Sequence, residues 1–320
     1  MLFRSTICAA LRALVLSTLA LPAFAAFAAF ATFTAPAASA ASAASITQQD
    51  GAPYTLTGTT VLTVHAKELE RDYQVFVSLP PGYAANGPSL PVVVVTDADY
   101  AFPLTRAIAA RIGGHSKAIG PFILVGLSYA VGDTPEYSRR RDYTPSTDTS
   151  ETYTSDMPGR TPRFGEAEGY RRFIAGNVLP LIAERYRADM TRTVFVGHSY
   201  GSLLGTHILL SSPALFGKYV LSSPSLWYDH HIMFAREKAY AAGHRELQAD
   251  VFFSVGGLEV ARGDDDTHMV RDLRNFDTAL KAHRYAGLRT QLHVYEGKDH
   301  LDVFPDMITN ALKWAVPGRK

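Results

Sequence analysis

The chain has 320 residues, 47% hydrophobic and 11% aromatic, with a formal charge of +1. That length and apolar content suit one large domain with an ample core. The scattered, nearly balanced charge excludes the basic stripe that a nucleic-acid backbone requires, so a small uncharged-to-polar molecule is the expected partner.

The first 45 residues read as a targeting segment. Arg4 and Arg12 form a positive n-region, and Leu14 to Phe33 is largely apolar. Ala23-Phe24-Ala25 and Ala38-Ser39-Ala40 offer small-residue cleavage patterns. The rival reading, an uncleaved anchor, rests on an apolar run approaching the roughly 20 residues that span a bilayer. Residues 1–45 are therefore expected to be a signal peptide and Ala/Ser-rich leader, and 46–320 a single domain. Export to the periplasm or medium of a bacterium follows, with no stable membrane insertion after cleavage. Cys8, the only cysteine, lies inside the leader. A mature chain without cysteine has no disulfide, no thiolate metal site and no cysteine nucleophile.

From Tyr54 onward strand-like and helix-like patterns alternate, the sign of helices packed on both faces of a mostly parallel sheet. Thr59 to Val64 and Tyr73 to Leu79, separated by the charged stretch Lys67 to Asp72, predict an antiparallel hairpin at the N-terminal sheet edge. Six apolar runs predict strands buried on both faces: 91–96, 122–127, 193–196, 219–221, 251–255 and 291–295. Helical spacing marks Tyr170 to Tyr186, with a kink at Pro180, then Leu203 to Leu210, Thr278 to Tyr285 and a closing helix over Asp306 to Ala315. Residues 129–165, rich in Arg, Thr, Ser, Pro and Asp, show no period and read as a loop covering an active site.

Gly197-His198-Ser199-Tyr200-Gly201 carries the chemistry. Between the strand Thr193 to Val196 and the helix from Ser202, two glycines let a serine sit on a sharp, exposed turn. Ser199 is the candidate nucleophile. A serine needs a base, and in α/β-hydrolases the triad runs in chain order serine, acid, histidine. His300, after the last strand and the turn Glu296-Gly297-Lys298-Asp299, is the best-placed base. The acid belongs after the strand Val251 to Val255, where Glu259 is favoured over Asp264, Asp265 and Asp266. Those three aspartates fit a solvated helix N-terminus better, and no metal or cofactor is expected. One oxyanion donor should be the backbone N–H of Tyr200, and the other should come from the loop Asp97-Ala98-Asp99-Tyr100.

Five segments together carry a family resemblance: Pro91 to Phe102, Arg141-Asp142-Tyr143-Thr144-Pro145, Gly197 to Gly201, Ser223-Pro224-Ser225-Leu226-Trp227 and Gly256-Gly257-Leu258-Glu259. Over about residues 55–315 the chain resembles the esterase-D-like branch of α/β-hydrolases, and within it the bacterial siderophore esterases that open enterobactin-type and bacillibactin-type trilactones. The resemblance implies an α/β-hydrolase fold, Ser199 as nucleophile, His300 as base, and backbone donors at Asp99 and Tyr200. It also implies pocket lining by Trp227 and contact of Arg140 or Arg141 with an anionic substrate. The chain departs from the family pattern at Thr96-Asp97-Ala98, where Leu-Asp-Gly is usual, and at His300-Leu301-Asp302, where His-Gly-Ser is usual. Some siderophore esterases work with a Ser-His pair alone, which leaves the acid open. The expected function is a serine carboxylic-ester hydrolase acting through an acyl-enzyme on siderophore trilactones. The alternatives are a general acyl, acetyl or feruloyl esterase or acyltransferase, and a binding protein without turnover.

Overall fold

Alternating inward and outward side chains on the central strands explain the apolar runs. On β3 (Leu90–Val95), Val92 and Val94 enter one core cluster while Val93 and Val95 enter the other. The computed structural model describes residues 53–148, 155–261 and 268–318. The leader and its cleavage patterns therefore lie outside the described residues. So do Asp264, Asp265 and Asp266.

The chain opens with the antiparallel hairpin β1 (Thr59–Ala66) and β2 (Arg71–Ser78), turning through a single 3-10 turn at Lys67–Leu69. Then follow β3, α1 (Ala98–Gly114), β4 (Ile123–Ala130), α2 (Pro135–Tyr143), α3 (Ala167–Phe173), a π turn (Ile174–Val178) and α4 (Leu179–Arg185). The second half runs β5 (Ala188–His198), α5 (Tyr200–Ser211), β6 (Lys218–Ser222), α6 (Tyr228–Gly243), β7 (Glu246–Gly256), α7 (Met269–Ala282), β8 (Ala286–Tyr295) and α8 (Val303–Ala315). These strands form one eight-stranded sheet in the order β1-β2-β4-β3-β5-β6-β7-β8, parallel from β4 to β8.

Helices cover both faces. Phe102 of α1 and Met307, Ile308 and Leu312 of α8 pack on one side. Ile182, Leu203, Met233, Leu273 and Phe276, from α4 to α7, pack on the other. Each such side chain withdrawn from water stabilises the fold by about 1.5–3 kcal/mol. Among the described residues no helix is long and apolar enough to cross a membrane.

Helices α1 to α4 differ from the sequence expectation, as do α6, where no helix was predicted, and α7, which starts nine residues before Thr278. The predicted helix over Tyr170 to Tyr186 is α3 and α4 joined by the π turn just ahead of Pro180. A proline ring collides with the carbonyl four residues back, and the wider turn relieves that collision. Inside the stretch read as an aperiodic loop, 129–165, lies α2. Its start is marked by Thr134, whose Oγ1 accepts from the Tyr137 N–H at 3.3 Å, and by Pro135 at the first helical position. Helix α1 begins within the stretch Asp97 to Tyr100 read as a loop and continues where no element was predicted, although Ala98, Ala101, Phe102 and Thr105 bury a stripe at helical spacing.

The chain leaves β3 through α1 to β4 on one side and returns through α2 to α4 to β5 on the other. Such a reversal opens a crevice at the carboxyl ends of the flanking strands, where α/β proteins bind their ligands.

Candidate active site

Ser199 joins β5 to α5 with φ 58° and ψ −121°, a backbone conformation that costs a non-glycine residue about 1–3 kcal/mol. Its N–H donates to the Ser222 carbonyl at 3.0 Å. The turn closes so tightly that a Cβ on Gly197 would stand 2.3 Å from the Gly201 carbonyl oxygen, and one on Gly201 would stand 2.2 Å from Thr96 Oγ1. Both glycines of the pentapeptide are therefore steric requirements.

Glu259 lies in the turn after β7, its side chain 3% exposed. One carboxylate oxygen accepts the Gly256 N–H at 2.7 Å and the Ser223 hydroxyl at 2.6 Å; the other meets His300 Nδ1 at 2.6 Å. The acid turn is tied to the loop carrying His300, because Gly257 N–H donates to the Tyr295 carbonyl and Leu258 N–H to the Lys298 carbonyl. That second loop is braced internally. Asp299 Oδ1 accepts the N–H groups of Leu301 and Asp302, and Asp302 Oδ1 accepts that of Asp299. Those backbone donors hold the Asp299 carboxyl below its usual range. Asp302, one of the departures from the family pattern, thus braces the loop that presents His300.

The Ser199 hydroxyl lies 3.4 Å from the hydroxyl of buried Ser225. Among the described residues no hydrogen bond joins Ser199 to His300, and serine–base contacts in hydrolases often tighten only with substrate present. The structure brings Ser199, His300 and Glu259 to the carboxyl ends of β5, β8 and β7. Beside them stand two helix N-termini. Asp99 and Tyr200 occupy the first turns of α1 and α5, where N–H groups have no acceptor within the helix.

The His198 and His300 rings lie with centroids 4.7 Å apart, tilted by 37°. Burial, reinforced by the nearby His300 and Arg139 charges, pushes the His198 imidazole down to about 3. In α5, burial and the Arg236 guanidinium push His207 down to about 4. Unfolded, both titrate near 6.5. Below that pH the unfolded chain takes up protons that the native chain refuses. Stability is therefore undiminished above about 6.5 and falls as pH drops toward 4, by up to about 1.4 kcal/mol per group per pH unit. Melting temperature should decline between pH 6.5 and 5, and His207→Gln should flatten the decline; an unchanged slope would refute this assignment.

The remaining residues divide. Trp227 is half-buried, with Tyr200 and Tyr228 at ring distances of 6.1 and 6.4 Å. Arg140 pairs with Asp156 at 2.7 Å. Arg141 is 2% exposed and pairs with Asp133 at 2.6 Å and Asp142 at 2.8 Å. The expected substrate contact by Arg141 therefore does not fit the structure, because its charge is neutralised inside the scaffold around α2. Ser223, Ser225 and Asp97 were not assigned roles from sequence; their short polar side chains carry no signal until the fold brings them to the site. Asp148, Asp229 and His230 also bring one ligand atom each within 4.8 Å of one another, a grouping that acidic residues commonly form without an ion.

A mostly parallel eight-stranded sheet with an antiparallel edge hairpin, helices on both faces and a serine elbow after β5 defines an α/β-hydrolase. Residues 66–315 match the Esterase family, and the chain belongs to that family. It is 26% identical over 270 residues to the ferri-bacillibactin esterase BesA of Bacillus subtilis, covering 82% of this chain and 91% of that protein. It is 27% identical over 252 residues to a siderophore triacetylfusarinine C esterase of Aspergillus fumigatus, covering 71% and 81%. Among solved structures the BES protein from Bacillus cereus superposes with a TM-score of 0.71 at 23% identity, over 84% of this chain and 99% of that one. The last likeness is one of fold.

Proposed function

We propose that this esterase is a serine hydrolase that cleaves siderophore esters, trilactones foremost, through an acyl-enzyme. The observation that carries the reading is an elbow serine on the same strand-end face as a part-buried Glu259–His300 hydrogen bond of 2.6 Å. Glu259 holds the Nδ1–H tautomer of His300, leaving Nε2 to take the Ser199 proton as Oγ attacks the ester carbonyl. The N–H groups of Asp99 and Tyr200 stabilise the tetrahedral oxyanion. Its collapse breaks the ester bond, and His300 returns the proton to the departing alcohol. Water then attacks the acyl-enzyme, giving its proton to His300, and Ser199 recovers a proton as the carboxylic acid leaves.

Siderophore esters as substrates are supported by the relatives that bear that name. Half-buried Trp227 beside Tyr200 and Tyr228 supplies an aromatic wall, and Arg140 remains the candidate contact for an anionic substrate. An exported mature domain from residue 46 belongs to the same proposal and rests on the leader sequence.

Two measurements test it. A fluorophosphonate should add its mass to the peptide carrying Ser199, since only an activated serine reacts. Turnover of a trilactone siderophore should exceed that of p-nitrophenyl butyrate in kcat/KM. An unlabelled Ser199 would overturn the mechanism; preference for the aryl ester would overturn the substrate class and favour a general esterase.

A further inference from the structure

We propose that Arg139 is a positioning residue that holds the two oxyanion donors in register. The inference rests on the reading of the Asp99 and Tyr200 N–H groups as those donors. They come from helices on opposite faces of the sheet: Phe102 of α1 belongs to one core cluster and Leu203 of α5 to the other. Pairing between β3 and β5 ends at Val95 and Val196, with the Thr96 N–H on the Val196 carbonyl, and β5 pairs onward with β6 to His198; none of these bonds joins the Asp99 and Tyr200 segments to each other. A side chain that touches both segments would set one donor against the other.

Arg139 is such a side chain. Its Nε and Nη2 donate to the two carboxylate oxygens of Asp97 at 3.0 and 3.3 Å, and its guanidinium carbon lies 5.5 Å from the centre of the Tyr200 ring. Asp97 is the residue just before α1, fully buried and left-handed at φ 53°. Its carbonyl accepts the N–H groups of Tyr100 and Ala101, so its conformation determines where the first turn of α1 points. Tyr129 adds a hydroxyl donor to Asp97 at 2.9 Å. One planar cation thus grips the residue that aims the Asp99 N–H and packs on the side chain whose own backbone carries the second donor. A forked guanidinium does both at once; an ammonium has neither the fork nor the flat face.

A substrate clamp and a purely structural ion pair are the competing roles, and kinetics separate them. We would measure kcat and KM on neutral p-nitrophenyl butyrate and on anionic 4-butyryloxybenzoate, with melting temperatures, for Arg139→Lys, Arg139→Met and the pair Asp97→Asn/Arg139→Met. Arg139→Met strands a buried carboxylate, so the double variant, which removes both charges, carries the decision. We expect it to melt within a few degrees of wild type, yet to lose kcat by about 10- to 100-fold on both esters, with KM within about twofold. Arg139→Lys should fall between the two. Recovery of kcat together with stability in the double variant would overturn the proposal in favour of a structural ion pair. A rise in KM confined to the anionic ester would overturn it in favour of a clamp. Failure of the serine-hydrolase reading, on which the oxyanion donors themselves depend, shows separately, as undiminished turnover in Ser199→Ala.

Discussion

Ser199→Ala is expected to lower ester turnover by about 10,000-fold or more while leaving substrate binding nearly intact. The magnitude follows from the role: without Oγ no acyl-enzyme forms, and only the oxyanion donors and binding contacts still act on the ester. Stability should respond differently. Ser199 is held at φ 58° and ψ −121°, where alanine is strained as much as serine, whereas glycine is not. Ser199→Gly should therefore be as inactive as the alanine variant but more stable than wild type by about 1–2 kcal/mol, offset in part by the greater freedom of its unfolded chain. Steady-state kinetics on p-nitrophenyl butyrate and thermal melts of the three proteins check both halves. Retention of a tenth of wild-type kcat/KM in either variant would remove Ser199 from the mechanism.

The second large effect is expected at Glu259. In Glu259→Gln the side-chain oxygen can still accept from Gly256 and Ser223, as the carboxylate does at 2.7 and 2.6 Å. The amide NH2 then faces His300 Nδ1, which must become the acceptor. The ring proton moves to Nε2, and the nitrogen needed as base is occupied. A fall in kcat of about 100- to 10,000-fold is expected, at unchanged fold. The Ser-His pair is the competing arrangement; it predicts wild-type kcat in Glu259→Gln and would make the buried carboxylate a brace for the loops alone.

Legibility differed from element to element. The central strands were anticipated because burial on both faces demands apolar runs, and β1 and β2 as an edge hairpin; β8 was expected to be buried on both faces, but as an edge strand it has no buried residue. Edges and lengths were less visible: β5 begins at Ala188, five residues ahead of its apolar stretch, because Asp189, Thr191 and Arg192 interrupt the apolar run. Helices α1 and α2 were hidden by Pro103 and by an apolar content too low to show a period, although Thr134-Pro135 signalled one start.

By itself the sequence determined the architecture and the order of the chemical groups, because hydrophobic period and the glycines around Ser199 are local properties. The pentapeptide marks its own geometry: no other residue fits at Gly197 or Gly201. Only the tertiary structure decided which neighbours act on those groups. It placed the Glu259 carboxylate on His300 across 41 positions of sequence, turned Arg141 inward to Asp133 and Asp142, and brought Arg139 to Asp97. Three consecutive arginines look alike in sequence. Successive residues of a helix point about 100° apart, so each of the three meets a different environment and bears a different charge partner.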